Sequence, residues 1–445
     1  MNDSFDPRSY GAVADGHSKD TAAVQAAIDA AATQGGTVRL AGGTFVCGTL
    51  YLKSNVALEI SNSATLLASP DIADYGTDTH HNRYRNEPEL DRCFLFAQDA
   101  ENVTICGSGV IDGNAAAFPN AGSIYRPMML RVLRCRNVRV QNLRLMNAAA
   151  WTTAFLDSDF IWATDLHIEN HRNYNGDGLD FDGCRHVWVR GCYIDGTDDN
   201  LCLQSSGLPV QDVHISDCAF TSVCAGIRIG LKSIGEISGV VISNCTMRNI
   251  WREGIKLECT EGGSITDILV ENVTMHNVRR PIFAILNNRY RPDDLGSSVE
   301  LDHIPPIGTM ARLRFVGITA VDDEGMAHAQ RRFDNDIMGE PRFGGCRFDA
   351  NAAHPIEDVT IRDFWYTAIG GVRLADLPAA PYPEVPDRLQ APTAPGSENY
   401  YPDWSRTTHL DARNVQGLTL ENLHFNTLHP DERPKMLTEG PTVML

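Results

Sequence analysis

The sequence predicts an all-β protein: a right-handed parallel β-helix with a short capping helix at its N-terminal end. Three observations carry that prediction. A six-residue pattern recurs through most of the chain, one amphipathic helix precedes it, and two groups of aspartates stand one repeat interval apart.

The helix is read from Asp20-Thr21-Ala22-Ala23-Val24-Gln25-Ala26-Ala27-Ile28-Asp29-Ala30-Ala31. Alanine gives it high propensity, Val24, Ala27, Ile28 and Ala31 fall on one face, Asp20 is the expected N-cap, and Gly35-Gly36 ends it. The period then changes from helical to alternating. Thr37–Leu40, Thr44–Cys47 and Val56–Ile60 read as short strands separated by glycine, serine or asparagine.

The repeat begins in earnest at Val138 (Val-Arg-Val-Gln-Asn-Leu). Further copies start at Ile161, Val187, Val213, Val240 and Ile268, with offsets of 23, 26, 26, 27 and 28 residues. Other copies start at Val103, Leu313, Val359 and Leu418. The six from Val138 to Ile268 read apolar, any, apolar, polar, Asn/Asp/Gly, apolar. The alternation marks a strand with one buried face, and the Asn/Asp/Gly slot suits a corner. A propeller blade needs about 40 residues, more than these intervals provide. Coils of several short strands, stacked about 4.8 Å apart, fit the spacing, and residues of equal phase then form columns.

One domain is expected over 1–445, because solenoids lengthen by adding coils rather than domains. Three stretches interrupt the repeat, at 77–92, 287–307 and 370–405, and are expected as loop insertions walling a cleft. Long loops across a groove favour a closed-end pocket and action at chain ends.

With 43% hydrophobic residues and 21% charged, a packed core is assured. The net charge of −19 argues against nucleic acid and anionic membranes as partners, since both require a basic footprint. The start, Met1-Asn2-Asp3-Ser4-Phe5-Asp6-Pro7, has no basic region followed by an apolar run, and no segment is long enough to span a bilayer. The expected location is cytoplasmic, or secreted or periplasmic if a leader has been removed. The 12 cysteines include no Cys-x-x-Cys, and the His167-x-x-x-His171 spacing has no such pair upstream, so no zinc site is expected. Cys192, Cys218 and Cys245 share one apolar slot of the repeat and predict a column of buried thiols, which favours a reducing compartment.

The chemistry lies between His171 and Ser206. Asp177, Asp180 and Asp182 form one group and Asp198-Asp199 the other. An acid-base hydrolase needs one carboxyl protonated and another ionised, and crowding like charges separates their pKa values. Aspartate also turns well at corners, and calcium is another use for such acids, but an adjacent Asp198-Asp199 pair costs repulsion that a corner alone would not require. Strand alternation sets Asp180 and Asp182 apart from Asp177 and assigns both to structure.

Asn175-Gly176-Asp177-Gly178 followed by Asp198-Asp199, within this repeat, resembles glycoside hydrolase family 28, the polygalacturonases and rhamnogalacturonases. Tyr10–Gly16, Glu101–Gly113 and Arg126-Pro127 add to the likeness. No glycine-aspartate nonapeptide series supports calcium, and no metal and no cofactor are expected. The resemblance implies Asp198 as general acid, Asp177 and Asp199 holding the attacking water, inversion at the anomeric carbon, and a pectin-related oligosaccharide or polysaccharide as substrate. This chain departs from the pattern at two places. Cys224-Ala225-Gly226 stands where polygalacturonases have Gly-His-Gly, and Lys256-Leu257-Glu258 where they have the uronate-gripping Arg-Ile-Lys. Lysine cannot copy the bidentate arginine grip, and a glutamate repels a carboxylate. The substrate-binding candidates are Asn175, Gln204, Arg228, Lys256, Glu258, Arg289 and Trp151. The rival readings are a rhamnogalacturonan-type glycosidase, a β-helix lyase using Arg228 or Lys256 as base, and a non-catalytic carbohydrate-binding solenoid. The oligomeric state is open.

Overall fold

The computed structural model describes residues 3–79, 91–119, 126–288, 303–325, 341–379 and 404–445. They form two compact units, Met1–Asp198 with Asp212–His214, and Asp199–Gln211 with Ile215–Leu445.

In the first unit, parallel strands stack coil on coil. Val38, Leu58, Ile105, Val140, Ala163 and Val189 are successive register partners. Each is at most 1% exposed. One apolar residue per coil therefore builds a continuous column, and alternation supplies a parallel one two residues away. The helix Thr21–Ala32 packs against the first strands through Ala23, Val24, Ala27, Ile28 and Ala31, which contain the predicted face. Asp20 precedes it but makes no side-chain cap bond. Its carboxylate instead accepts from the backbone N–H groups of Val13 and Ala14, at 2.7 and 3.0 Å, and so ties the entry loop to the helix start.

The second unit repeats the architecture. Ile242, Val270, Phe315, Ile361 and Leu420 are register partners on successive coils, again at most 1% exposed. Here strands run through the corner instead of stopping at it, as in Thr246–Cys259 and the 23-residue Ser264–Leu286.

The Asn/Asp/Gly slot of the repeat is the corner itself. Asn142, Asp165 and Gly191 in the first unit, and Asp217, Asn244, Asn272, Gly317, Asp363 and Asn422 in the second, all have φ between 52° and 66°. This left-handed conformation is costly for most side chains and is tolerated by glycine, asparagine and aspartate. The corner side chains also bond one another between coils: Asn272 Nδ2 donates to Asn244 Oδ1 and Asn422 Nδ2 to Asp363 Oδ1, both at 2.6 Å. A second ladder links Asn137 to Asn102 and Asn102 to Asn55.

Eleven of the 12 cysteines are buried, Cys106 being the exception. Cys218 and Cys245 stand on neighbouring coils, and a hydrogen bond between their thiols together with burial pushes the Cys245 thiol far above its usual range. Among the described residues no helix is long and apolar enough to cross a membrane. Most of the three expected insertions, at 80–90, 289–302 and 380–403, lies outside the described residues.

Candidate active site

In the first unit, the loop Asn173–Gly178 leads into the strand Leu179–Asp182. It is held by buried polar bonds rather than by a ladder. Thr152 donates to the carbonyl of Asp177 through both its N–H and its hydroxyl, at 3.0 and 2.7 Å. Arg126, fully buried, donates to the carbonyl of Tyr174 at 2.6 Å and to Oδ1 of Asn175 at 2.8 Å. Thr197 closes the arrangement. Its hydroxyl donates to the Asn173 carbonyl at 2.5 Å and accepts from the Gly176 N–H at 3.1 Å. Because Thr197 is the residue before Asp198, these bonds join the Asp177 loop to the turn that carries Asp198.

Asp177 is only 5% exposed, whereas Asp198 is partly exposed on its turn. Asp180 and Asp182 are each 3% exposed. They alternate in the strand with the inward Leu179 and Phe181, whose ring stacks on Phe155 at 5.0 Å. Asp177 lies before the strand begins, so strand alternation does not relate it to them. Trp151 is 5% exposed and packs into an apolar cluster with Cys93, Phe96, Met128 and Leu133, among others. Its ring is spent on packing instead of forming an open face for a sugar.

The second unit begins at Asp199, which is 1% exposed. Its Oδ2 receives Nη1 of Arg228 at 2.8 Å, and its Oδ1 receives the backbone N–H of Ala225 at 3.3 Å. Burial works to raise the pKa of Asp199, but Arg228 and Lys256 outweigh it and hold the carboxyl below its ordinary range. Ala225 has only a methyl group where the resemblance has histidine, but its amide still serves the acid.

Cys202, Arg228 and Lys256 are register partners on successive coils, all facing away from the inward Leu201, Ile227 and Ile255. Arg228 sends Nε and Nη2 to Oε2 of Glu258, at 2.7 and 2.6 Å. Lys256 Nζ lies 3.6 Å from that same oxygen and 3.4 Å from Glu253 Oε2. Glu253 also meets Arg280 at 3.0 Å and Arg252 at 3.5 Å. Lys256, Glu253 and Glu258 have side-chain exposures of 1%, 0% and 0%. Lys256 and Glu258 were expected to face a sugar, and the structure turns them towards each other. A glutamate here does not present bare negative charge, because two cations neutralise it. Burial works to raise the pKa of Glu253, and Lys256, Arg252 and Arg280 together drive it well below its usual value.

Gln204 is buried at the end of the strand Leu201–Ser205, and its Oε1 accepts no hydrogen bond among the described residues. Arg289 lies outside the described residues. Sequence reasoning missed Glu253, Arg252 and Arg280. Arg252 lies within a register shift between Ile250 and Glu253, and Glu253 and its partner Arg280 come directly after it, where the alternation by which outward positions are counted is broken. Arg126 was noticed only as part of the resemblance, and its job as a clamp on Asn175 required the fold.

The model of glycosyl hydrolases family 28 matches residues 47–300, more than half of the chain and all of the acids above. The chain belongs to glycoside hydrolase family 28. Curated relatives include a probable polygalacturonase of Vitis vinifera, 26% identical over 52% of this chain and 52% of its own. Another is the exo-poly-alpha-D-galacturonosidase of Dickeya chrysanthemi, 25% identical over 43% of this chain and 40% of its own. The family 28 chain thus spans about half, or less, of these relatives. Among solved structures, a hyperthermoactive exopolygalacturonase from Thermotoga maritima superposes with a TM-score of 0.68 at 19% identity, covering 96% of this chain and 92% of that one. The family 28 exopolygalacturonase of Yersinia enterocolitica gives 0.65 at 16% identity, covering all of this chain and 77% of that one. At these identities the likeness speaks for the fold, which is the right-handed parallel β-helix expected from the repeat.

Proposed function

We propose that this family 28 chain is an inverting glycoside hydrolase acting from the end of a pectin-related or similar oligosaccharide. The observation that carries the reading is the division of labour within Asp198-Asp199. Asp198 is the partly exposed member, able to meet a leaving-group oxygen, whereas Asp199 is buried and kept ionised by Arg228. Asp198 then donates its proton to the glycosidic oxygen as the bond to the anomeric carbon breaks. A water held by Asp177 and Asp199 attacks the opposite face and gives up its proton to a carboxylate, leaving inverted product. The Dickeya, Thermotoga and Yersinia proteins are an exo-poly-alpha-D-galacturonosidase and two exopolygalacturonases, which supports an exo mode here.

The β-helix lyase reading is disfavoured by the same geometry. Arg228 is burdened by burial but held charged, far above its usual pKa, by Glu258 and Asp199, so it cannot accept a proton. Lys256 Nζ is enclosed between Glu253 and Glu258.

The test is Asp198→Asn, assayed on oligogalacturonates and on a panel of chromogenic glycosides, with NMR of the first-formed anomer in the parent protein. The expected result is inverted product from the parent and a rate loss of several orders of magnitude in the folded variant. An undiminished rate, or retained configuration, would sink the assignment.

A further inference from the structure

Arg228 was expected from sequence to line the cleft and bind sugar. Its geometry says otherwise. The side chain is 14% exposed, and three of its nitrogens are committed, Nη1 to Asp199 and both Nε and Nη2 to Glu258. It reaches back to the turn before Leu201 and forward to a residue on the next coil, since Glu258 is the register partner of Gly230, two positions along. Asp199 takes Nη1 and Glu258 occupies the Nε–Nη2 edge of the fork, so that edge is closed to a uronate.

We propose that Arg228 is a positioning residue that holds Asp199 as an aimed carboxylate, and that Glu258, one coil further on, aims Arg228 in turn. The inference rests on the role given above to Asp199. A lone cation beside Asp199 would be free to swing into the cleft. Anchored at its other edge by a buried carboxylate, the guanidinium has one direction in which Nη1 can point. Asp199 is faced from its surroundings by Arg228, by the Cys202 thiol at 3.6 Å, by the Ala225 amide, and by Cys224, with Lys256 and Arg252 further off. Asp198 adjoins it in the chain, and Asp177 is the third carboxylate of the proposed reaction. Arg228 bonds it directly, Nη1 lying 2.8 Å from Oδ2. Lys256 serves mainly as counter-charge to Glu258 and Glu253, which keeps Glu258 from drawing Arg228 away from Asp199.

Replacing Arg228 alone strands Glu258, so the informative pair is Glu258→Gln against Arg228→Gln with Glu258→Gln. The single change keeps a side-chain oxygen that accepts from Nε and Nη2, as Oε2 alone does in the parent, and so keeps Arg228 on Asp199, whereas the double change removes both charges together and leaves Asp199 buried without Arg228. Two readouts separate this idea from the functional reading. The first needs no substrate: carboxyl 13C NMR titration of aspartate-labelled protein, with Asp199→Asn identifying the resonance. The second is the acidic limb of kcat/KM on trigalacturonate, or on whichever chromogenic glycoside of the panel is cleaved. In the double variant the Asp199 resonance and the acidic limb should both move up by roughly one to three pH units, while in Glu258→Gln neither moves up. An Asp199 resonance titrating at the same pH in both variants would overturn the positioning role. A resonance that moves while the acidic limb stays put leaves Arg228 governing Asp199 but removes Asp199 from the reaction.

Discussion

Asp322 is a buried carboxyl with no cation paired to it among the described residues. It is 3% exposed, it accepts a hydrogen bond from the Tyr366 hydroxyl at 3.1 Å, and burial raises its pKa from the ordinary 3.8 to about 8. The sign of the linkage follows. Below pH 4 both folded and unfolded chains carry the proton and Asp322 costs nothing. Between pH 4 and 8 the unfolded chain releases it while the folded chain does not, so stability falls by about 1.4 kcal/mol per pH unit. At pH 7 the cost is about 4 kcal/mol, and above pH 8 it levels off. Asp322→Asn keeps the shape and an acceptor for Tyr366 but cannot ionise. The variant should therefore match the parent at pH 4 and exceed it by several kcal/mol at pH 8. Denaturant unfolding of both proteins across pH 4–9, followed by tryptophan fluorescence, reads this directly. A difference that does not change with pH, or a variant weakened most at high pH, would refute the reasoning.

Two further substitutions probe the backbone. At Gly230, φ is +99°, and an added Cβ would fall 2.1 Å from the Glu258 carbonyl oxygen. Gly230→Ala should cost about 2–3 kcal/mol and also lower activity, because the strand that carries Glu258 must shift; unchanged stability in denaturant unfolding would contradict that contact. Asn102 sits at φ +57° and bonds both Asn55 and Asn137. Asn102→Ala should cost about 1–2 kcal/mol and Asn102→Gly less, since glycine keeps the conformation and loses only the bonds. Equal losses would show that the side-chain ladder, not the backbone, carries the effect.

The fold was legible because a solenoid writes its geometry into every coil. The Asn/Asp/Gly slot, read only as a bend, coincides with a left-handed residue in each copy from Asn142 to Asn422. What escaped was what depends on one local bond. Asp20 stands where a helix cap belongs, yet its carboxylate serves Val13 and Ala14, because any acceptor near two free amides is as good a match as the helix end. The long strands of the second unit were read as separate pieces, since periodicity marks which residues face inward but not whether hydrogen bonding continues round a corner.

The acids of the site were legible for a related reason: like charges crowded into a short stretch are conspicuous in any sequence. Their partners were not. Arg228 and Glu258 are 30 residues apart, one coil plus two positions, and neither is conspicuous alone. Taken singly, Glu258 reads as a residue that would repel a uronate, and Lys256 as a weakened grip. Together with Arg228 they are an internally balanced set, and that bears on whether the departures at 225 and 256–258 mark a site in decay. Keeping a carboxylate such as Glu258 buried costs several kcal/mol unless cations and hydrogen bonds surround it. A face relieved of function would be expected to lose such groups to apolar residues, since that exchange is often neutral or stabilising. Here the interior is charged instead: Glu253, Glu258, Lys256 and Arg280 are all buried, and through Arg228 the network ends on Asp199. The cost is understandable if Asp199 must be held ionised and aimed, and has no evident return if it has no work to do.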